Sequence, residues 1–555
     1  MRFKAWILLA LCFALASGAV GLTACGGDDD DDNDDDDVVT PDDDDDDAVS
    51  PDDDAGDDDG EVRAVYEYLL IDTDAPPPNP VKNAATPDEY NKIPLFRFHA
   101  ETDGKAAPPT RSIVIFSAGL AAGSNQMFHL ARSLVELSRG RVEVWVPEKR
   151  HALLEDQFGM DLAEERNDPY IGYDYYWLGR EVEGRTYQIP SPTGSDTDMM
   201  SEWGMDMWVH DIRRLVHMVP EEYRRTNVFL AGDSRGAGYM QVYAGYVFED
   251  GSIGADEIAG LILWDGGFNA KNRPPFEFEY LNNLKALRNG TQRRYLDLQV
   301  RDFWFMEIFG MIATEGVGDP DDPYVGPDGF FYDYGSFGLL LPLLTRGHDV
   351  TVTNEAFFSM VLDSDHIPYP LFMGHLGCLG GGPVGHDFLG DYPAQDGATY
   401  HWTRYDECDP PELVDSRKLT RMLWEGPSNF SDFHHSQRME LDMTVAGDME
   451  TEGTWRDKYL PVHSSRMDAP VFTIVSRLYE KEGLMERYRG QIAPTRDGLV
   501  PREEDEDGFR LIYKTDWSHM DAIAVEKKFN PIFPVLLDWI DGWSAGEIPP
   551  GSVSF

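Results

Sequence analysis

The chain is poor in cysteine and poor in positive charge. It has 4 Cys in 555 residues, with no C-x-x-C pair and no Cys/His run spaced like a structural zinc site. Its 47 Lys and Arg face 101 Asp and Glu, a formal net charge of -54. A surface so negative repels phosphate backbones, which excludes nucleic acid as a partner. Internal repeats are absent too, so a solenoid or propeller is excluded. What remains is long enough for one large domain, or a domain carrying a big insertion.

Much of the acidity is local. Between Asp28 and Asp59 there are 21 Asp and no Lys or Arg, yet the rest of the chain is still acidic. Residues 26–60 are Asp runs broken by Asn33, Pro41 and Pro51. Such a segment has little apolar surface to bury, and its like charges repel. It reads as an extended tether, on the order of 100 Å when fully stretched. It lacks the Gly and Glu spacing of a defined calcium loop.

Residues 1–25 read as a targeting segment. Arg2 and Lys4 supply positive charge, and Trp6 to Ala16 is an apolar run too short to span a bilayer comfortably. The run leads to Leu22-Thr23-Ala24-Cys25, which resembles the lipobox of bacterial lipoproteins. That resemblance implies a lipidated Cys25, export, and membrane anchoring through acyl chains. Gly26 after the Cys leans toward the outer membrane or cell surface. With Cys12 in the signal, Cys378 and Cys408 are left in the exported part, and two thiols in an oxidising compartment suggest one disulfide.

From Val62 onward, strand and helix patterns alternate. Val62 to Ile71 and Leu95 to His99 read as strands. Ser112 to Phe116 is a continuous β-branched run, as expected of a strand buried on both faces. A helix is expected over Met127 to Leu137, a strand over Arg141 to Val146, and a helix over Asp206 to Val219. Next come a strand at Asn227 to Leu230, a helix at Gly236 to Val247 and a strand at Ile258 to Trp264. The alternation breaks over roughly 269–468, which is rich in aromatics, Gly and Pro. It resumes with strands at Val471 to Val475 and Phe509 to Tyr513, and a helix around Pro534 to Trp543. Strand–helix alternation implies a mostly parallel sheet flanked by helices. One α/β core is therefore expected over 61–268 and 469–555, with a cap insertion between.

The strongest motif is Gly232-Asp233-Ser234-Arg235-Gly236, set between a buried strand and a helix. A Ser at a tight strand-to-helix turn projects its hydroxyl, and the glycines let the neighbouring backbones approach. The helix N-terminus favours developing negative charge. With this context the chain resembles the α/β-hydrolase superfamily, over about 105–268 and 465–545. The resemblance implies Ser234 as nucleophile. It also implies an oxyanion hole built from the backbone N–H groups of Leu120, in Ser117-Ala118-Gly119-Leu120, and of Arg235. His519, in Asp516-Trp517-Ser518-His519-Met520-Asp521, follows the last strand as the family's general base does. The orienting acid is open: Glu480 or Glu482 after the strand Val471 to Val475, with Glu480 placed first, or Asp265 after the strand before it.

The implied reaction is ester hydrolysis through an acyl-enzyme, on a small-molecule or lipid ester, with no cofactor. Two other readings stay open: a peptidase or amidase with the same triad, and a non-catalytic binding protein of the same fold. Aromatics of the insertion (Phe276, Phe278, Tyr280, Phe303, Trp304 and Phe305) are expected to line an apolar acyl pocket or to form the cap's own core. Its histidines (His348, His366, His375, His386, His401, His434 and His435) read as loop or cap residues and no metal site is expected, because their spacing does not suggest convergence.

Overall fold

The computed structural model describes residues 62–101, 109–267, 274–296, 300–314, 340–367, 373–477 and 509–555. Runs of alternating or continuous apolar residues become eight strands of one sheet. These are β1 Ala64–Asp72, β2 Lys92–Ala100, β3 Ser112–Ser117, β4 Val142–Pro147, β5 Val228–Asp233, β6 Gly260–Trp264, β7 Val471–Ser476 and β8 Phe509–Lys514. Their order across the sheet is β1-β2-β4-β3-β5-β6-β7-β8. β2 runs antiparallel to both β1 and β4. Every other pairing is parallel. The central strands β3 to β7 are buried along their whole length, which is why their sequences are unbroken apolar runs rather than alternations.

Helices cover both faces. On one side lie α1 Phe128–Leu137 and the C-terminal α7 Ile532–Trp543. Trp539 of α7 packs on Phe229 of β5 and Phe472 of β7, both with ring centroids 5.6 Å away. On the other side α2 Met205–Val216 and α3 Arg235–Gly245 bury Trp208, Ile212, Met240 and Tyr243 in one cluster with Ile113, Ile115 and Leu230. Each such side chain stabilises by roughly 1.5–3 kcal/mol through removal from water. Asn227, expected to begin β5, instead ends a short helix, Glu221–Asn227.

β6 and β7 are neighbours in the sheet although the inserted region separates them in sequence. Among the described residues that region holds α4 Glu277–Asn289 and α5 Gln437–Val445. It also holds a small sheet in which Thr399–Arg404 pairs with Thr351–Val352 and Gly377–Gly380. The Cys378–Cys408 disulfide forms there, with Cα atoms 6.0 Å apart. Met439 and Met443 of α5 reach the main core. Asp442 of the same helix accepts from the Met205 N–H at the start of α2, where a negative charge suits the helix dipole. No helix among the described residues is long and apolar enough to cross a membrane.

Candidate active site

Ser234 sits at the β5–α3 turn with φ 51 and ψ −119, a backbone conformation costing a non-glycine residue about 1–3 kcal/mol. The strain is held by close packing. A Cβ on Gly232 would lie 2.3 Å from the Gly236 carbonyl carbon, and one on Gly236 would lie 2.4 Å from the Ser117 oxygen. The two motif glycines are thus steric requirements of the turn. Ser234 N–H donates to Trp264 O at 2.9 Å, tying the turn to the end of β6.

The residue that follows β6 is Asp265, fully buried and also at positive φ, 44. One of its oxygens accepts from the Ser476 N–H at 2.6 Å. The other meets Nδ1 of His519 at 2.5 Å. The second-placed acid of the sequence reading is therefore the carboxylate on His519; Glu480 and Glu482 lie outside the described residues. His519 is the first residue of α6, His519–Ala524, whose N-terminus is closed by a capping box. Asp521 N–H donates to Ser518 Oγ at 3.0 Å, and Ser518 N–H donates to Asp521 Oδ2 at 2.7 Å. Trp264 Nε1–H donates to Ala522 O at 2.5 Å, binding this loop to β6. Ser234, Asp265 and His519 thus follow the C-terminal ends of β5, β6 and β8. With Nδ1–H on Asp265, the ring keeps Nε2 as a proton acceptor.

A third buried acid completes the electrostatics. Asp233 precedes the serine, and its Oδ1 has no hydrogen-bond partner. Burial raises its pKa to about 7, against the opposing charge of His519. Burial pushes the His519 imidazole down, but the charges of Asp265 and Asp233 outweigh it and raise the pKa to about 9. Nothing in the spacing of the motif distinguishes Asp233 from any filler residue, so its role was invisible in the sequence.

The loop expected to form the oxyanion hole lies against Ser234. A Cβ on Gly119 would stand 3.2 Å from Ser234 Cβ. Leu120 follows it, half-buried, and Ala121 turns the chain at φ 50. Lys149, buried, donates from Nζ to Gly119 O at 3.2 Å and Ala122 O at 3.1 Å, fixing both ends of that turn. Arg235 begins α3, so its N–H has no intrahelical acceptor. Its guanidinium is engaged with Glu440 of α5, Nη2 to Oε2 at 2.8 Å. Lys149 and Glu440 carry no sequence signal; only the fold brings them here.

The inserted region touches the histidine loop directly. His375 donates its backbone N–H to Asp521 at 2.8 Å, and its Nδ1 meets the other oxygen at 2.5 Å. Of the aromatics singled out, Tyr280 and Trp304 are buried in packing of their own, Tyr280 on Asp442 and Trp304 stacked on Tyr176. Phe276 and Phe278 stack on each other in solvent. The side chains of Phe303 and Phe305 lie outside the described residues.

Sheet order, the single reversed strand and the strained serine after β5 together decide the architecture. This is the α/β-hydrolase fold. No protein-family model and no curated protein matches the chain. Among solved structures it is similar to a putative lipase from Sulfolobus solfataricus, 13% identical, covering 86% of this chain and 95% of that one, with a TM-score of 0.41. It is also similar to a soluble variant of monoglyceride lipase from Saccharomyces cerevisiae, 12% identical, covering 87% and 97%, TM-score 0.33. An epoxide hydrolase from Vigna radiata is 12% identical, covering 86% and 98%, TM-score 0.33.

Proposed function

We propose that this α/β-hydrolase-fold chain is a serine hydrolase that cleaves carboxylic esters through an acyl-enzyme on Ser234. The observation that carries the reading is the Asp265–His519 pair, poised at the same sheet edge as a serine in a strained turn. Ser234 Oγ attacks the ester carbonyl while His519 Nε2 takes its proton. The N–H groups of Leu120 and Arg235 hold the oxyanion. The tetrahedral adduct collapses, the C–O bond to the leaving alcohol breaks, and His519 returns the proton to the departing oxygen. Water then repeats the sequence on the acyl-serine, releasing the acid. Asp265 keeps the proton on Nδ1 and stabilises the imidazolium.

A fluorophosphonate probe should label the wild-type chain and not Ser234→Ala. Absence of labelling in folded wild-type protein would overturn the proposal. Turnover of p-nitrophenyl esters but not of aminoacyl anilides would favour an esterase over a peptidase. The proposal extends to the N-terminus: Cys25 carries the lipid and the Asp-rich tether holds the domain off the membrane. Cys25→Ala should then release the protein from membranes.

A further inference from the structure

Beside the Arg235–Glu440 ion pair lies a buried cluster that the hydrolytic chemistry does not use. His151 follows β4 in the core. Asp432 and His435 come from the inserted region, just before α5. All three are almost wholly inaccessible. His151 Nδ1 lies 2.9 Å from one oxygen of Asp432, and His435 Nδ1 lies 3.1 Å from the other. One ligand atom from each residue lies within 4.8 Å of the others, with the two rings nearly perpendicular at 83°. Ligands at about 2.1 Å from a zinc-sized ion stand roughly 3.0–3.4 Å apart, so small adjustments would bring these atoms around one ion.

The hydrogen bonding of His435 argues that a cation belongs there. Its Nε2 lies 3.2 Å from Glu440 Oε1, while its Nδ1 faces Asp432. Set between two carboxylates, the ring is satisfied either as an imidazolium donating to both or as a neutral ring with a metal cation at one nitrogen. If Nε2–H donates to Glu440, Nδ1 presents its lone pair beside the Asp432 oxygens, as a metal requires. Metal-binding histidines commonly give their second N–H to a carboxylate in this way. Tyr239 OH donates to the same Glu440 oxygen at 2.7 Å and fixes it. Without an ion, Nδ1–H of His151 donates to Asp432 and its Nε2 is buried without a partner, so an ion at Nδ1 would move that proton to Nε2.

Charge points the same way. Asp432, Glu440, Glu148 and Glu155 crowd into this buried region with Lys149 and Arg235 as the cations beside them. Lys149 Nζ is 3.9 Å from Asp432 but spends its hydrogen bonds on Gly119 and Ala122.

We infer that His151, Asp432 and His435 form a binding site for a divalent transition-metal ion of the zinc class, with Glu440 orienting His435. Two imidazoles and a carboxylate suit such an ion, and three protein ligands leave a position for water. The ion staples the inserted region to the core. The staple stands beside the bridge between Ala122 and Ser431 and the Asp432 N–H to Ala121 O bond, next to the oxyanion loop. Sequence spacing gives no hint of this: the insertion histidines read as loop or cap residues, and for His435 it is folding that brings His151 and Asp432 within reach.

The test uses zinc and the full chain, apart from any assay of hydrolysis. After dialysis the wild type should retain one zinc per chain. A chelator should lower its melting temperature, and zinc but not magnesium should restore it. His151→Gln with His435→Gln should abolish retention, and Glu440→Gln should weaken it by about 10–100-fold. Wild-type protein that neither retains stoichiometric zinc nor melts higher with it would overturn the inference. So would a folded double variant that holds zinc as well as wild type. If the double variant does not fold, X-ray absorption on the zinc-loaded wild type decides, because imidazole scattering is required and purely oxygen ligation refutes the site.

Discussion

Two histidine–aspartate pairs meet at the same stretch of chain, residues 519–521, one within the sheet core and one reaching in from the inserted region. In the core, His519 meets Asp265, and both residues stand at strand ends that the sheet fixes. From the insertion, His375 reaches Asp521, two residues past His519. The bonds are alike in geometry, and each raises its histidine against the opposing effect of burial, to about 9 in both cases. Yet one pair stands at the sheet edge that carries Ser234, and the other joins the inserted region to the loop carrying His519. On the proposed function, the same chemical unit does catalytic or structural duty according to what else the fold brings to it.

Substitution should separate the two pairs. Asp265→Asn leaves the ring in place but favours the wrong tautomer, and kcat for an activated ester should fall by about 10⁴-fold. Glu480→Gln should leave kcat essentially unchanged. The reverse result would return the acid to the first-placed candidate. His375→Gln should act mainly on stability. The folded pKa of His375 lies above its unfolded value near 6.5, so the pair contributes fully below that pH and its contribution is lost as pH rises through about 9. Urea unfolding at pH 6 should show a loss of about 1–3 kcal/mol, vanishing at pH 10. A loss equal at both pH values would mean that charge is irrelevant to the latch.

The contrast also marks what could be read from the amino acids. β3, β7 and β8 fall within one residue of expectation; β3 and β7 are buried on both faces, which demands continuous apolar runs, while β8 is half-buried. Ser234 was legible because its glycines answer a local steric demand. The acid was not: Asp265 and Glu480 both follow strands, and only the pairing of β6 with β7 and the positive φ of Asp265 direct a carboxylate to His519. Asp233, Lys149, Asp521 and Glu440 act through partners far along the chain, and local patterns carry no trace of them. The insertion is legible only as a break in rhythm, since its elements are short and held by scattered polar pairs.

A subtler difference lies in the charge around His519. As a base it must be neutral, so kcat/KM should climb with pH and level off above about 9. Asp233, with a pKa raised to about 7, is ionised over that climb and holds the proton on the ring. Asp233→Asn should therefore shift the limb to lower pH by about one unit while leaving the plateau close to wild type. A limb that stays in place would mean that Asp265 alone sets the imidazole.

The smallest effect is expected where the insertion exposes apolar surface to solvent. Phe276 is 53% and Phe278 62% exposed, with rings 5.8 Å apart and nearly parallel. Nearby Tyr280 is buried against Asp442, so α4 docks through that face and leaves the phenylalanines outside. Phe278→Ser removes little buried area and should change unfolding free energy by no more than about 0.5 kcal/mol. If the pair takes no part in binding acyl chains, KM for short and long p-nitrophenyl esters should stay at wild-type values. A KM that rises with chain length, at unchanged stability, would instead make this exposed stack part of the substrate surface, and the line between core chemistry and cap would have to be redrawn.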